Sequence, residues 1–158
     1  MRMRRLFRVL LCALPLLAVS ACGDSTGSDP DLSTVDFAPA LGVDISAMTR
    51  VGDGVYIRDL KVGEGATVAQ GRTLQVLYRG YLANGTEFEN NHVPRSPYPL
   101  VLGARRVIAG WEQGIPGMKV GGRRLLVIPP SLGYGSQPNG DIPANSVLVF
   151  EVEILSMQ

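Results

Sequence analysis

The sequence predicts an α+β domain, in which one short helix covers the apolar face of an antiparallel sheet. Three observations carry this. Short segments of the 158-residue chain alternate in polarity or are rich in β-branched and aromatic residues. A single segment shows helical spacing. The 19 Gly and 11 Pro punctuate the chain too often for a helical bundle.

Taken in order, Val55 to Val62 reads as a strand ended by Gly63-Glu64-Gly65. Thr73 to Leu82 is a β-branched and aromatic run that meets Asn84-Gly85, the strongest short hairpin signal, and Thr86 to Glu89 returns from it. Asn90 to Pro99 holds three prolines and reads as loop. Leu100-Val101-Leu102 is a short strand stopped by Gly103. From Val107 to Ile115, the residues Ile108, Trp111 and Ile115 share one face of a helix of at most about three turns, ended by Pro116-Gly117. Arg123 to Ile128 is a strand cut off by Pro129-Pro130, and the Gly- and Pro-bearing stretch Ser131 to Asn145 is a loop. Val147 to Leu155 alternates most cleanly. Leu148, Phe150, Val152 and Ile154 point one way, and Glu151 and Glu153 the other.

Composition narrows the function. A hydrophobic content of 46% excludes a wholly disordered chain, and a formal charge of +1 offers no basic stripe for nucleic acid. Two Cys cannot make a disulfide scaffold. One His, without a Cys pair, supplies too few ligands for a metal, so neither metal nor cofactor is expected. That residue, His92, sits in a Pro-rich loop with no nucleophile beside it and reads as structural or solvated. Glu87 and Glu89 alternate on one strand face without any sign of a sugar cleft. Gly63-Glu64-Gly65 and Gly121-Gly122 do not precede a helix, as a phosphate loop must.

The beginning of the chain reads as an address. Arg2, Arg4, Arg5 and Arg8 precede an apolar run from Val9 to Val19, too short for the about 20 residues of a membrane-spanning helix, and small residues follow. Val19-Ser20-Ala21-Cys22 resembles the bacterial lipobox. That implies a signal peptide over 1–21, lipidation of Cys22 and a membrane anchor in the cell envelope facing the periplasm. Gly23 stands where an inner-membrane retention signal has Asp, which points to the outer membrane. Loss of four Arg leaves 11 basic residues against 14 acidic ones, a net of −3. Gly23 to Pro39 is polar and aperiodic, so 22–47 is expected to be a lipidated Cys and flexible tether, with 40–47 open between tether and domain edge. The domain is expected over 48–158. The tether is too short and too rich in Asp, Gly and Pro to be a helical dimerisation arm, so a monomer is expected.

What chemistry remains lies in the aromatics Tyr56, Tyr78, Tyr81, Phe88, Tyr98, Trp111, Tyr134 and Phe150. Their setting resembles the FKBP-type peptidyl-prolyl isomerases from about Val51 to Leu155. The matching segments are Val76-Leu77-Tyr78-Arg79-Gly80, Asn84-Gly85-Thr86-Glu87-Phe88, Val107-Ile108-Ala109-Gly110-Trp111-Glu112, Gly117-Met118-Lys119-Val120-Gly121, Val127-Ile128-Pro129-Pro130, Tyr134-Gly135 and Ile142 to Phe150. The resemblance implies a sheet curled around the short helix, and isomerisation of X–Pro bonds of exported proteins without covalent intermediate or metal. It implies Trp111 as the floor of a pocket walled by Tyr78, Phe88, Val107, Ile108, Ile142 and Phe150, with Tyr98 at the rim. Tyr134 and the Ile108 N–H would donate to substrate carbonyls. Proline-containing polypeptides are the implied partners and macrolides the implied inhibitors. The alternative is a non-catalytic proline-binding chaperone or adaptor with the same pocket.

Three positions depart from the family. Its pocket Asp is Glu89 here, and the longer carboxylate is expected to miss the Tyr134 hydroxyl or reach into the proline site. The Arg that often pairs with that Asp aligns with Pro94, next to Arg95. The loop Gly135 to Asp141 is one residue shorter than in the best-known members.

Overall fold

Alternation along the last strand decides the architecture, because a strand with two different faces needs two different covers. The computed structural model describes residues 28–92 and 96–158. The signal segment, Cys22, and the Pro94 and Arg95 positions lie outside them. Seven strands form one sheet: β1 (Thr49–Val51), β2 (Val55–Lys61), β3 (Thr73–Leu82), β4 (Glu87–Asn91), β5 (Tyr98–Val101), β6 (Arg123–Ile128) and β7 (Leu148–Met157). All pairings are antiparallel in the order β1-β2-β6-β7-β3-β4, with β5 also on β3. Among the described residues one α-helix, α1 (Ala109–Gly114), covers the sheet. The predicted class and the extents of β3 and β6 agree with this. The three-residue β1 has no sequence signal, and Tyr98 and Pro99, expected in the loop, begin β5.

The outer edge of β3 is shared. Thr73 to Val76 pair with β5 and Tyr78 to Tyr81 with β4, so Tyr98 sits opposite Val76 and Asn91 opposite Tyr78.

On the helix side, Leu148, Phe150, Val152 and Ile154 join Trp111, Ile115, Leu126 and Ile128 in the main core. The helix comes close because Gly110 and Gly114 lack side chains. A Cβ there would stand 2.4 Å from Ile128 and 2.7 Å from Leu126. Arg124, buried against the end of α1, fixes the approach. Its Nη1 donates to the carbonyls of Gly114 (2.9 Å) and Pro116 (3.2 Å), while Nε and Nη2 donate to Asp59 of β2 (2.6 and 3.1 Å). Those carbonyls would otherwise have no partner at the helix end.

The opposite face carries a correction. Residues 28–47 are not a free tether but a strap lying on the sheet. Leu32 is buried with Leu125, Val127, Val147 and Val149, and Val35, Phe37, Leu41, Val43 and Ile45 pack around them. The strap is made of three 3-10 turns, 32–34, 39–41 and 45–47. Its polar residues serve as turn caps: the Asp31 and Asp44 carboxylates accept from Ser33 and Ser46. These bonds hold both carboxyls below the ordinary carboxylate range. Asp29 accepts from the Ser131 N–H and hydroxyl (2.9 and 2.5 Å), Ala38 donates to the Ala83 carbonyl (2.8 Å), and Arg58 donates to that of Gly42 (2.6 Å). Turn formers and aperiodic apolar residues give no repeating pattern, so composition alone resembles a linker. The strap makes a sharp forecast: Leu32→Ala should destabilise the protein by about 2–3 kcal/mol, in line with loss of a buried leucine. Urea unfolding checks it, and a tether would give no measurable change.

Candidate functional site

Gly80, towards the end of β3, makes the space from which the site is built. A Cβ on it would lie 2.7 Å from the Phe88 ring and 2.8 Å from that of Phe150. With none there, Phe88 and Phe150 meet edge to face at 5.6 Å. Phe150 in turn meets the Trp111 ring at 5.4 Å and 88°, and Trp111 meets Tyr78 at 5.0 Å and 84°. Tyr98 closes the series against Tyr78 at 5.9 Å. Such T-shaped contacts between quadrupoles lock each ring by its neighbours.

Above these rings is a cavity of about 410 Å³. It is lined by Tyr78, Glu89, Tyr98, Arg105, Arg106, Val107, Ile108, Trp111, Tyr134 and Phe150. The structure therefore brings together eight of the residues singled out from the sequence. Phe88 and Ile142 do not reach the lining: Phe88 stands behind Phe150, and Ile142 is buried in the same core. Arg105 and Arg106 were missed. The only sequence signal for them is a pair of Arg between the Gly103 stop and the helix. His92 lies at the end of β4, off the lining.

Polar groups around the cavity fall into used and unused ones. The Tyr78 hydroxyl donates to Glu89 Oε1 at 2.5 Å, which draws the longer carboxylate to the wall. Burial, followed by the Glu89 bond and charge, holds the Tyr78 phenol far above its ordinary value. No hydrogen bond joins Glu89 to Tyr134 among the described residues, and the cavity is not filled by the Glu89 side chain. The Tyr134 phenol is raised as well, first by burial and then by the charge of Glu89, so its hydroxyl remains a donor through the neutral range. The Ile108 N–H, just ahead of α1, has no acceptor among the described residues, although the Ile108 carbonyl accepts from Trp111 and Glu112. The Trp111 Nε1 is buried and unpartnered among them too. The loop behind Tyr134 is pinned by paired bonds between Asn139 and Ile142 (2.9 and 3.0 Å) and from Asn145 to the Gly135 carbonyl (2.8 Å).

The site is thus an aromatic-walled cavity with unused donors at its side and charged residues on its lining. The profile of the FKBP-type peptidyl-prolyl cis-trans isomerases matches residues 64–155. An FK506-binding protein of Neisseria meningitidis serogroup B is 43% identical over 105 residues, covering 66% of this chain and 96% of that protein. An FKBP-type isomerase FkpA of Buchnera aphidicola is also 43% identical over 105 residues, 66% of this chain and 40% of that one. FK506-binding protein 4 of Rhizopus delemar is 45% identical over 70% of this chain, which spans only 29% of that longer relative. Among solved structures, FkpA from Escherichia coli aligns with a TM-score of 0.64 at 36% identity, over 70% of this chain and 51% of that one. AtFKBP13 aligns with the same score at 32% identity, over 70% and 98%. The chain belongs to the FKBP-type peptidyl-prolyl cis-trans isomerase family.

Gly80 tests how the rings are set. Gly80→Ala should lower stability by about 1–3 kcal/mol through overpacking and change the near-ultraviolet circular dichroism of the aromatic cluster. An unaltered spectrum and an unaltered urea midpoint would mean that the ring contacts do not depend on that empty position.

Proposed function

We propose that the chain isomerises X–Pro peptide bonds of exported proteins, with the prolyl ring seated over Trp111. The reading rests on family membership and on one observation: the 410 Å³ aromatic cavity stays open because Glu89 is held to its wall by Tyr78. Rotation about an X–Pro bond is opposed by a resonance barrier of about 18–20 kcal/mol. The twisted transition state has lost charge separation between the amide oxygen and nitrogen, so an apolar, water-poor enclosure favours it over the planar ground state. Tyr78, Trp111 and Phe150 hold the ring, and Tyr98 and Val107 border it. The Ile108 N–H and the Tyr134 hydroxyl donate to neighbouring carbonyl oxygens and steady the twisted geometry. No covalent intermediate is required; catalysis is preferential binding of the transition state.

Lipidation at Cys22 after removal of 1–21 would hold the protein in a bacterial cell envelope facing the periplasm, at the outer membrane on the evidence of Gly23. No helix among the described residues is long and apolar enough to cross a membrane. The FkpA relatives are bacterial, which is in keeping with that setting. We take the protein to be a monomer, and relatives named for FK506 make a macrolide a natural competitor for the cavity.

A proline-peptide exchange assay decides between enzyme and adaptor. Tyr134→Phe removes one donor and should lower kcat/KM about fivefold, the equivalent of roughly 1 kcal/mol for one hydrogen bond. Peptide binding without any acceleration of exchange by the unmodified protein would leave the adaptor reading standing and reject the enzymatic one.

A further inference from the structure

Two arginines on the cavity lining take no part in holding a prolyl ring or its neighbouring carbonyls. Arg105 and Arg106 precede the Val107–Ile108 wall, both are exposed, and neither forms an ion pair among the described residues. Glu112, the acid nearest along the helix, is occupied elsewhere. Its Oε2 accepts from the Gly103 N–H at 2.6 Å and its Oε1 from the Arg105 N–H at 2.9 Å. Those bonds hold Arg105 at a φ of 53°, in the left-handed region that residues with a Cβ seldom adopt. Strained loop residues of this kind persist where surrounding contacts impose them, and they gather at binding sites.

Charge adds a direction. The residues of the lining include two arginines against one acid, and the carboxylate of that acid, Glu89, is already bonded by Tyr78. A guanidinium presents a planar fork of donors matched to a carboxylate. On the isomerase reading, a substrate carbonyl bonded to the Ile108 N–H brings its flanking residues past the segment that carries both arginines. Resting on that reading, we propose that Arg105 and Arg106 select prolyl substrates bearing an acidic side chain within two residues of the proline. Neither folding nor the rotation step itself calls for the two charges, whereas an acidic substrate would use both.

The test uses paired peptides that differ only by Glu or Gln at each of the two positions before and after proline. Each pair is read by kcat/KM and by affinity from the fluorescence of Trp111, the only Trp in the chain. At low ionic strength, Glu should be favoured over Gln by about threefold or more at one or more positions, as one or two partly screened ion pairs would give. The ratio should fall towards one in high salt and in the R105Q/R106Q double variant, and persist in R105K/R106K. A ratio of one or less at every position in the unmodified protein would overturn the proposal, as would a Glu preference that survives R105Q/R106Q. If the double variant does not fold, the single variants R105Q and R106Q carry the comparison, and an unchanged ratio in both overturns the proposal. Absence of exchange with every peptide would reject the isomerase reading, while the affinity ratio still judges the arginines.

Discussion

A side chain at Gly110 would drive a methyl group into Ile128, and one at Gly114 would drive it into Leu126, so α1 can rest on β6 only because both positions are bare. That close seat brings Trp111 to the base of the cavity. Arg124 makes it durable by tying the carbonyls at the end of α1 to Asp59 on β2, joining helix and two strands through one buried guanidinium. Gly80 does the same for the other wall, giving Phe88 and Phe150 the room to cross edge to face. The cavity is thus shaped by where atoms are missing as much as by the rings that line it.

This construction suits a reaction that needs no proton-transfer group. On the proposed reading, the part of the pocket that takes the prolyl ring acts through shape and low polarity, and must keep its rings in place and that space dry. The succession of perpendicular contacts from Tyr98 through Tyr78 and Trp111 to Phe150 meets the first need. Glu89 could have violated the second, being a charged side chain on the lining. Its bond from the Tyr78 hydroxyl keeps it at the wall and leaves Tyr134 unengaged among the described residues. The strap on the far face completes the enclosure of the sheet. Without it Val127 and Val149, fully buried here, would meet water on the side away from the helix.

Legibility in the sequence followed the range of the interactions. β3 and β6 were plain because a β-branched, aliphatic or aromatic residue stands at most of their positions, a signal recorded locally, and β7 because its alternation mirrors the two faces of the sheet. β1 was not, since three residues are too few to show a period. The strap was hidden for a different reason. Leu32, Phe37 and Val43 have no regular spacing, and their burial depends on apolar residues nearly a hundred positions away. In the site, the rings lining the cavity were found through the family resemblance, whereas Phe88 and Ile142 lie one layer back, a distinction of depth that spacing does not carry. Arg105 and Arg106 escaped notice because solvated arginines are common and only the turn fastened by Glu112 brings these two to the lining.

In the proposed function a prolyl ring lies against the indole of Trp111. Intermolecular nuclear Overhauser effects between a short proline peptide and the protein test it without reference to rate. Contacts are expected from the prolyl ring protons to the Trp111 indole and to the rings of Tyr78 and Phe150. A bound peptide whose proline shows contacts only outside the cavity would contradict it.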